Sequence, residues 1–356
     1  MRLGIIGLPQ SGKTTLFNAL THGNTPTGIS AGKVEVHTAV VDVPDERVNR
    51  LSKLFSPKKT TYAKVTYADI AGLDGSQSKE GISGSLLNQL TQMDGLIHVV
   101  RVFEDDNVTH QTGSVDPVRD LKTMDDEFIL NDLIAVERKL ERLREEKTKG
   151  GGRDKATIER ETELFERFKQ TLNNETPLRD LDITKEEEKS ISGFGLLSLK
   201  PVVIALNLSE SQTAPAIVYD HKRSRVVPVF SKLEMEITQL TPEEAVVFLK
   251  EYHIEEPSLS KMIRISYELL GLESFFTGGQ DEVRAWTIHK GALAPEAAGV
   301  VHTDMQKGFI RAEVVTYDDL ITLGGFAEAR AKGKLRLEGK DYTVKDGDVL
   351  TIRFNL

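Results

Sequence analysis

The sequence predicts an α/β fold: a largely parallel sheet covered by helices, interrupted by a charged helical hairpin and followed by a small β-rich module. Short apolar runs alternate with amphipathic stretches in the N-terminal part. A seam of regularly spaced apolar residues crosses the middle, and glycine-punctuated β-rich runs fill the C-terminal end. With 356 residues, 39% of them hydrophobic, the chain has length and apolar content for about two or three domains with sizeable cores.

In chain order, "RLGIIG" is a short apolar strand and "KTTLFNALTHG" a helix ended by Gly23. "KVTYAD", "GLIHVVRVF" and "PVVIALN" are further strands, so β and α segments alternate as in a doubly covered sheet. From about Asp120 to Thr171 the chain is charged and helical. Ile129, Leu133, Val136, Leu140 and Leu143 repeat at 4-3-4-3 spacing, an a/d seam. "KGGGRDK" breaks that helix, and a second one follows with Ile158, Phe165, Phe168 and Leu172 on one face, which predicts an antiparallel hairpin. From roughly Phe276, "EVRAWTIHKG" and "KGFIRAEVVTYDDL" read as strands, the second running into a short helix. "GKLRLEGKDYTVKDGDVLTIRFNL" reads as three β-rich runs separated by turns. This last region is a small α+β binding module without a nucleophile beside a base.

The totals exclude several functions. With 46 Lys+Arg against 55 Asp+Glu, a net charge of -9 argues against non-specific nucleic-acid binding by the whole surface, and no direct DNA binding is expected. The absence of cysteine excludes disulfides, thiolate metal sites and thiol redox sensing. No secretory signal and no bilayer-spanning apolar run is read, so the expectation is a soluble cytoplasmic chain without membrane contact.

The chemistry is concentrated in Gly7-Leu8-Pro9-Gln10-Ser11-Gly12-Lys13-Thr14, followed by Thr15. It fits G-x-x-x-x-G-K-[ST], with a strand before and a helix after. Glycines let backbone N–H groups turn inward around an anion, and the helix N-terminus adds partial positive charge. Lys13 reaches the β- and γ-phosphates, and the Thr14 hydroxyl ligates Mg²⁺. Asp69 ends the strand "KVTYAD" and opens an Asp-x-x-Gly with Gly72; the acid holds Mg²⁺ through water and the Gly72 N–H senses the γ-phosphate. Leu73 follows where Ras-type GTPases place a water-orienting Gln, so hydrolysis must use another group or be slow. In "PVVIALNLSE", Asn207-Leu208-Ser209-Glu210 stands where GTPases carry Asn-Lys-x-Asp. The Lys that packs over guanine is missing and the acid is a methylene longer. That weakens the case for guanine without proving adenine.

With these residues in view, the chain closely resembles the YchF/Obg-like ATPase family along its whole length. The phosphate loop, "DIAGL", "NLSE", "DPVRDL" and the block from "SFFTGGQDEVRAWTIHKG" to "DGDVLTIRFNL" carry the resemblance. It implies a P-loop NTPase of the Ras-like G-domain type over 1–118 and 176–275, an inserted antiparallel helical hairpin over 119–175, and a C-terminal β-grasp (ubiquitin-like) TGS domain over 276–356. It implies ATP in preference to GTP, through Asn207 and Glu210 with backbone contacts near Leu208, and Ser231 and Lys232 in the position of the guanine-loop motif. It implies a catalytic role for a His in "FEDDNVTHQTG", here His110, which joins Lys13 and Gly72 as the catalytic set. It also implies ribosome association through the hairpin and the TGS domain. Switch I departs from the family: Lys33 stands where a Mg²⁺-binding Thr is expected, with Thr38 downstream, and "DGSQSKEGISG" replaces a more regular run. The expected function is therefore a slow ATPase with Mg²⁺ that couples nucleotide state to a ribosomal partner. A GTPase switch and a nucleotide-sensing adaptor without turnover remain as alternatives.

Overall fold

A computed structural model describes residues 1–23, 36–70, 82, 84–110, 113–149, 153–251, 254 and 256–355. The chain runs β1 (Arg2–Ile6), α1 (Lys13–Thr21), β2 (Val36–Asp42), α2 (Glu46–Phe55), β3 (Lys59–Thr61), β4 (Lys64–Ile70), α3 (Gly84–Thr91), β5 (Gly95–Arg101), α4 (Pro117–Lys149), α5 (Lys155–Asn173), α6 (Lys185–Ile191), β6 (Val202–Asn207), β7 (Ser224–Val229), α7 (Ser231–Ile237), α8 (Pro242–Glu251) and α9 (Ser258–Leu269). It continues through β8 (Leu272–Gly278), β9 (Glu282–His289), α10 (Ala294–Val301), α11 (Thr303–Lys307), β10 (Phe309–Thr316), α12 (Tyr317–Leu323), α13 (Phe326–Ala331), β11 (Arg336–Glu338) and β12 (Asp348–Phe354). Two compact units result. One comprises Met1–Ala39 with Thr66–Met262, the other Val40–Val65 with Ile263–Leu356.

In the first unit the strand order is β2-β4-β1-β5-β6-β7, with parallel pairing from β4 through β7. Every residue of β5 and β6 is buried. Parallel strands covered on both faces have no solvent side, so they read as continuous apolar runs rather than alternation. The register pairs Ile5 with Asp69 and Arg101 with Asn207. The carboxyl ends of four neighbouring strands therefore open on one edge, the usual ligand edge of such sheets. Ile6, Ile70, Leu96, Val100, Ile204 and Leu206 form the core there, joined by Met124 and Phe128 from α4.

Helices α4 and α5 form the expected hairpin. Val136 and Leu140 pack with Phe165, Phe168 and Leu172, and Leu143 and Ile158 are buried. The turn glycines 150–152 lie outside the described residues. Lys139–Glu161 and Lys169–Glu137 pair across the seam, each at 2.8 Å. At the base of the hairpin, fully buried Asp132 accepts from Leu197 N–H (2.8 Å), Ser198 N–H (2.7 Å) and Ser198 Oγ (2.6 Å). A carboxylate in this position binds the arm to the segment entering β6.

The second unit has strand order β11-β10-β12-β8-β9-β3. The β8–β9 and β10–β12 pairs are antiparallel while β12 runs parallel to β8. Helix α10 buries Ala294, Ala297 and Ala298 against Phe275, Ile288, Phe309 and Val314. This is a β-grasp with an added edge strand, β3, parallel to β9 through Thr61↔Arg284.

Three sequence expectations change in detail. Helix α1 closes on His22 in the left-handed region (φ 50°), one residue before Gly23. The run Asp341–Val344 is not a strand and makes only the isolated bridge Leu293↔Thr343, so two strands rather than three follow α13. The segment Val40–Val65, read as nucleotide domain, groups with the β-grasp instead. There Arg47 of α2 ion-pairs Asp346 at 2.6 Å and lies 5.0 Å from the centroid of the Phe276 ring, alongside the β3–β9 pairing.

Candidate nucleotide-binding site

The phosphate loop links β1 to α1. Gly7 has φ 150°, and a Cβ there would come 2.4 Å from Val99 O. Gly12 has φ 94°, and a Cβ there would come 2.3 Å from Asn207 Nδ2. Glycine is required at both places by conformation and by space. Gln10 takes a left-handed φ of 61° in spite of its side chain. Pro9, Gln10 and Thr15 are partly exposed along the loop and the first turn. Ser11 is buried, and its Oγ finds no hydrogen-bond partner among the described residues.

Lys13 folds back over this loop, donating from Nζ to Gly7 O and Leu8 O, both at 2.9 Å. Thr14 Oγ1 donates to Asp69 Oδ2 at 2.8 Å. Asp69 is 4% exposed, and its other oxygen, Oδ1, has no partner among the described residues. Burial pushes the Asp69 pKa up, against the opposing pull of the Thr14 hydrogen bond, Lys13 and His37. A hard cation suits this donor set: a buried carboxylate with one unmatched oxygen beside a threonine hydroxyl fits a hydrated Mg²⁺. Gly72, Leu73 and Lys33 lie outside the described residues.

Asn207 acts as a bolt. Its Nδ2 donates to Ser11 O (3.0 Å) and its Oδ1 accepts from Ser231 N–H (3.2 Å), fastening the phosphate loop to the loop after β7. Leu208 is buried and donates its N–H to Val229 O at 2.9 Å. Glu210 and Lys232 are exposed, while Ser231 is fully buried. Asn207, Leu208 and Ser231 therefore meet at the ends of β6 and β7, beside Ser11 of the phosphate loop, whereas no hydrogen bond brings Glu210 or Lys232 to them among the described residues.

His110 is brought to Asp120. Its Nε2 lies 3.0 Å from Asp120 Oδ2, and the side chains are 8% and 4% exposed. Asp120 also accepts from Arg119 Nε (3.0 Å) and Nη2 (2.9 Å). His110 is thus a largely buried side chain within hydrogen-bond distance of a carboxylate rather than an exposed loop His. Sequence reasoning missed Asp120; its signal is an acid in the first turn of α4, ten residues after the His.

Phe103 was also missed. It donates its N–H to Asn207 O at 3.1 Å, and its ring edge lies 3.9 Å from the Cβ position of Gly12. Buried Arg101 lies over that ring at 4.6 Å and donates to Phe103 O and Val108 O, shaping the loop that leads to His110. The third is Gln212, which accepts from Ser209 N–H at 2.9 Å and donates to Val102 O at 3.2 Å.

Over 365 residues the chain is 40% identical to a Bacillus subtilis protein described as ribosome-binding ATPase YchF, with 99% of each chain covered. The chain belongs to the YchF family. A Pasteurella multocida YchF of the same description is 41% identical over 368 residues, covering 100% of this chain and 99% of its own. The solved structure of the Schizosaccharomyces pombe YchF GTPase matches with a TM-score of 0.86 at 32% identity, covering 99% and 97% of the two chains. The YchF C-terminal profile, described as a protein of unknown function, matches residues 272–355, from β8 through β12. A profile described as 50S ribosome-binding GTPase matches residues 2–139, from β1 into α4. The YchF assignment accounts for the P-loop domain, the hairpin and the β-grasp together. Its members' descriptions divide between ATPase and GTPase.

Proposed function

We propose that this chain binds and slowly hydrolyses ATP with Mg²⁺, and that its nucleotide state governs association with a ribosomal partner through the helical arm and the β-grasp (TGS) unit. A ribosomal partner implies a cytoplasmic chain. The observation that carries ATP over GTP is the fate of the donors around the base loop. Leu208 N–H is taken by Val229 O, Ser209 N–H by Gln212 and Ser231 N–H by Asn207. Guanine presents an O6 acceptor that needs such a donor, whereas adenine presents an N6 amino group that needs an acceptor. A loop in which these three donors are spent internally fits adenine better.

In this reading the phosphates replace the carbonyls of Gly7 and Leu8 as partners of Lys13. Thr14 and Asp69 hold Mg²⁺, which supplies charge neutralisation at the phosphates. Gly72 reports the γ-phosphate. His110, oriented by Asp120, assists the attacking water, and apolar Leu73 in place of a water-orienting Gln keeps turnover slow.

The test is competition of ATP and GTP for one fluorescent nucleotide, followed by phosphate release with Mg²⁺, with and without ribosomes. Tighter ATP binding and ribosome-sensitive release are expected. Tighter GTP binding would favour the GTPase switch, and no release under either condition would favour the adaptor.

A further inference from the structure

We infer that Gln212 is a specificity-positioning residue, which holds the loop after β6 in a form that excludes guanine. The inference rests on the reading that Asn207–Glu210 faces the base. Its physical basis is the double role of one carboxamide. The Gln212 backbone N–H donates to Ser209 O at 3.1 Å while its side-chain Oε1 accepts from Ser209 N–H at 2.9 Å. A single residue therefore closes the Ser209–Gln212 turn from both ends. The Nε2 group then reaches Val102 O at 3.2 Å, on the loop after β5. Val102 and Phe103 donate their N–H groups to Asn207 O at 2.9 and 3.1 Å, so the two strand-end loops are already joined beside the side-chain bridge.

Only a carboxamide of this length can accept from one backbone N–H and donate to a distant carbonyl at once. A glutamate lacks the donor, and a methionine of similar shape has no donor and only a weak acceptor. Two consequences follow. The bonds that hold the loop are all made within the chain, so holding it takes nothing from ATP binding. The Ser209 N–H is also withheld as a donor. Without Gln212 that N–H is released, and a released donor next to the base is what guanine O6 lacks in the intact loop.

Affinities of the full-length protein for ATP, GTP and inorganic tripolyphosphate test this in Gln212→Met, Gln212→Glu and Glu210→Ala. Tripolyphosphate has no base and reads the phosphate loop alone. Gln212→Met is expected to narrow the ATP:GTP affinity ratio about tenfold, through weaker ATP and tighter GTP, with tripolyphosphate unchanged. Gln212→Glu keeps the acceptor and is expected to retain more of the ratio than methionine. An unchanged ratio in Gln212→Met, with the ratio altered in Glu210→Ala, would overturn the role of Gln212 and leave the base reading intact. No change in either variant would overturn the base reading itself. Tripolyphosphate weakened in step with ATP in Gln212→Met would make Gln212 a general support of the fold and also overturn the inference.

Discussion

At the scale of single residues, the candidate site rests on a few polar contacts of Lys13 and Asp69. The Lys13 ammonium rests on two carbonyls, and one Asp69 oxygen has no partner among the described residues. A phosphate would add a charge-assisted contact for the Lys13 ammonium and a cation one for the open Asp69 oxygen, and such contacts are roughly twice as strong as neutral ones. Lys13→Ala is therefore expected to weaken ATP binding by about 100-fold or more, the scale of a lost charge-assisted contact, as read by fluorescent-nucleotide titration. Unchanged affinity would remove the phosphate loop from the site. His110→Ala is expected to slow single-turnover hydrolysis by about 100-fold, within the range for a lost general base, with little change in ATP affinity. Full hydrolysis in that variant would reduce the His110–Asp120 pair to a structural contact of the loop.

At the scale of elements, α4 serves two structures at once. Its first turns place Leu121, Met124 and Phe128 in the core of the parallel sheet, and its later turns form the seam with α5. Asp132 stands at the changeover. Burial pushes its pKa up, opposed by the hydrogen bonds from Ser198 and Leu197 that its carboxylate receives. Asp132→Ala would leave the Leu197 and Ser198 N–H groups buried and unmatched. A loss of about 3 kcal/mol in urea-unfolding stability is expected, with nucleotide affinity preserved at low denaturant. A variant as stable as the parent would show that the arm is held by its apolar seam alone. The seam was legible in the sequence because a 3.5-residue repeat is a local property of one helix. Asp132 was not, because its partners are more than sixty residues away and an acid amid "FILNDLIAV" reads as an exposed position.

At the scale of the whole molecule, stability should respond to pH through His98. It lies 3% exposed on β5, its Nε2 has no partner among the described residues, and its pKa is pushed down to about 3 by burial, with the positive charges of Lys13 and Arg179 adding to the shift. The folded state thus keeps this imidazole neutral where the unfolded chain protonates it. Stability is complete above the ordinary His pKa of about 6.5 and is lost as pH falls from there toward 3, by up to about 1.4 kcal/mol per pH unit. Chemical denaturation of the parent and of His98→Leu across pH 4–8 should isolate this component. The difference between the two is expected to be flat above about pH 6.5 and to shift steadily against the parent below it. A difference that stays flat throughout would mean that His98 takes up a proton as readily in the folded chain as in the unfolded one.

The sequence alone determined what depends on neighbours along the chain. The phosphate loop is eight consecutive residues whose glycines, lysine and threonine dictate its chemistry, and strands and hairpin helices follow from apolar spacing. Tertiary structure decided what depends on groups meeting from distant segments. It joined His110 to Asp120, put Phe103 beside Gly12, spent the Asn207 amide on two loops, and gave Gln212 its partners on Ser209 and Val102. It also moved Val40–Val65 into the β-grasp unit, through a three-residue edge strand too short to announce its partner. The physical reason is common to all of these: a hydrogen bond or a strand pairing takes two partners, and sequence spacing fixes their meeting only when both lie within a few residues.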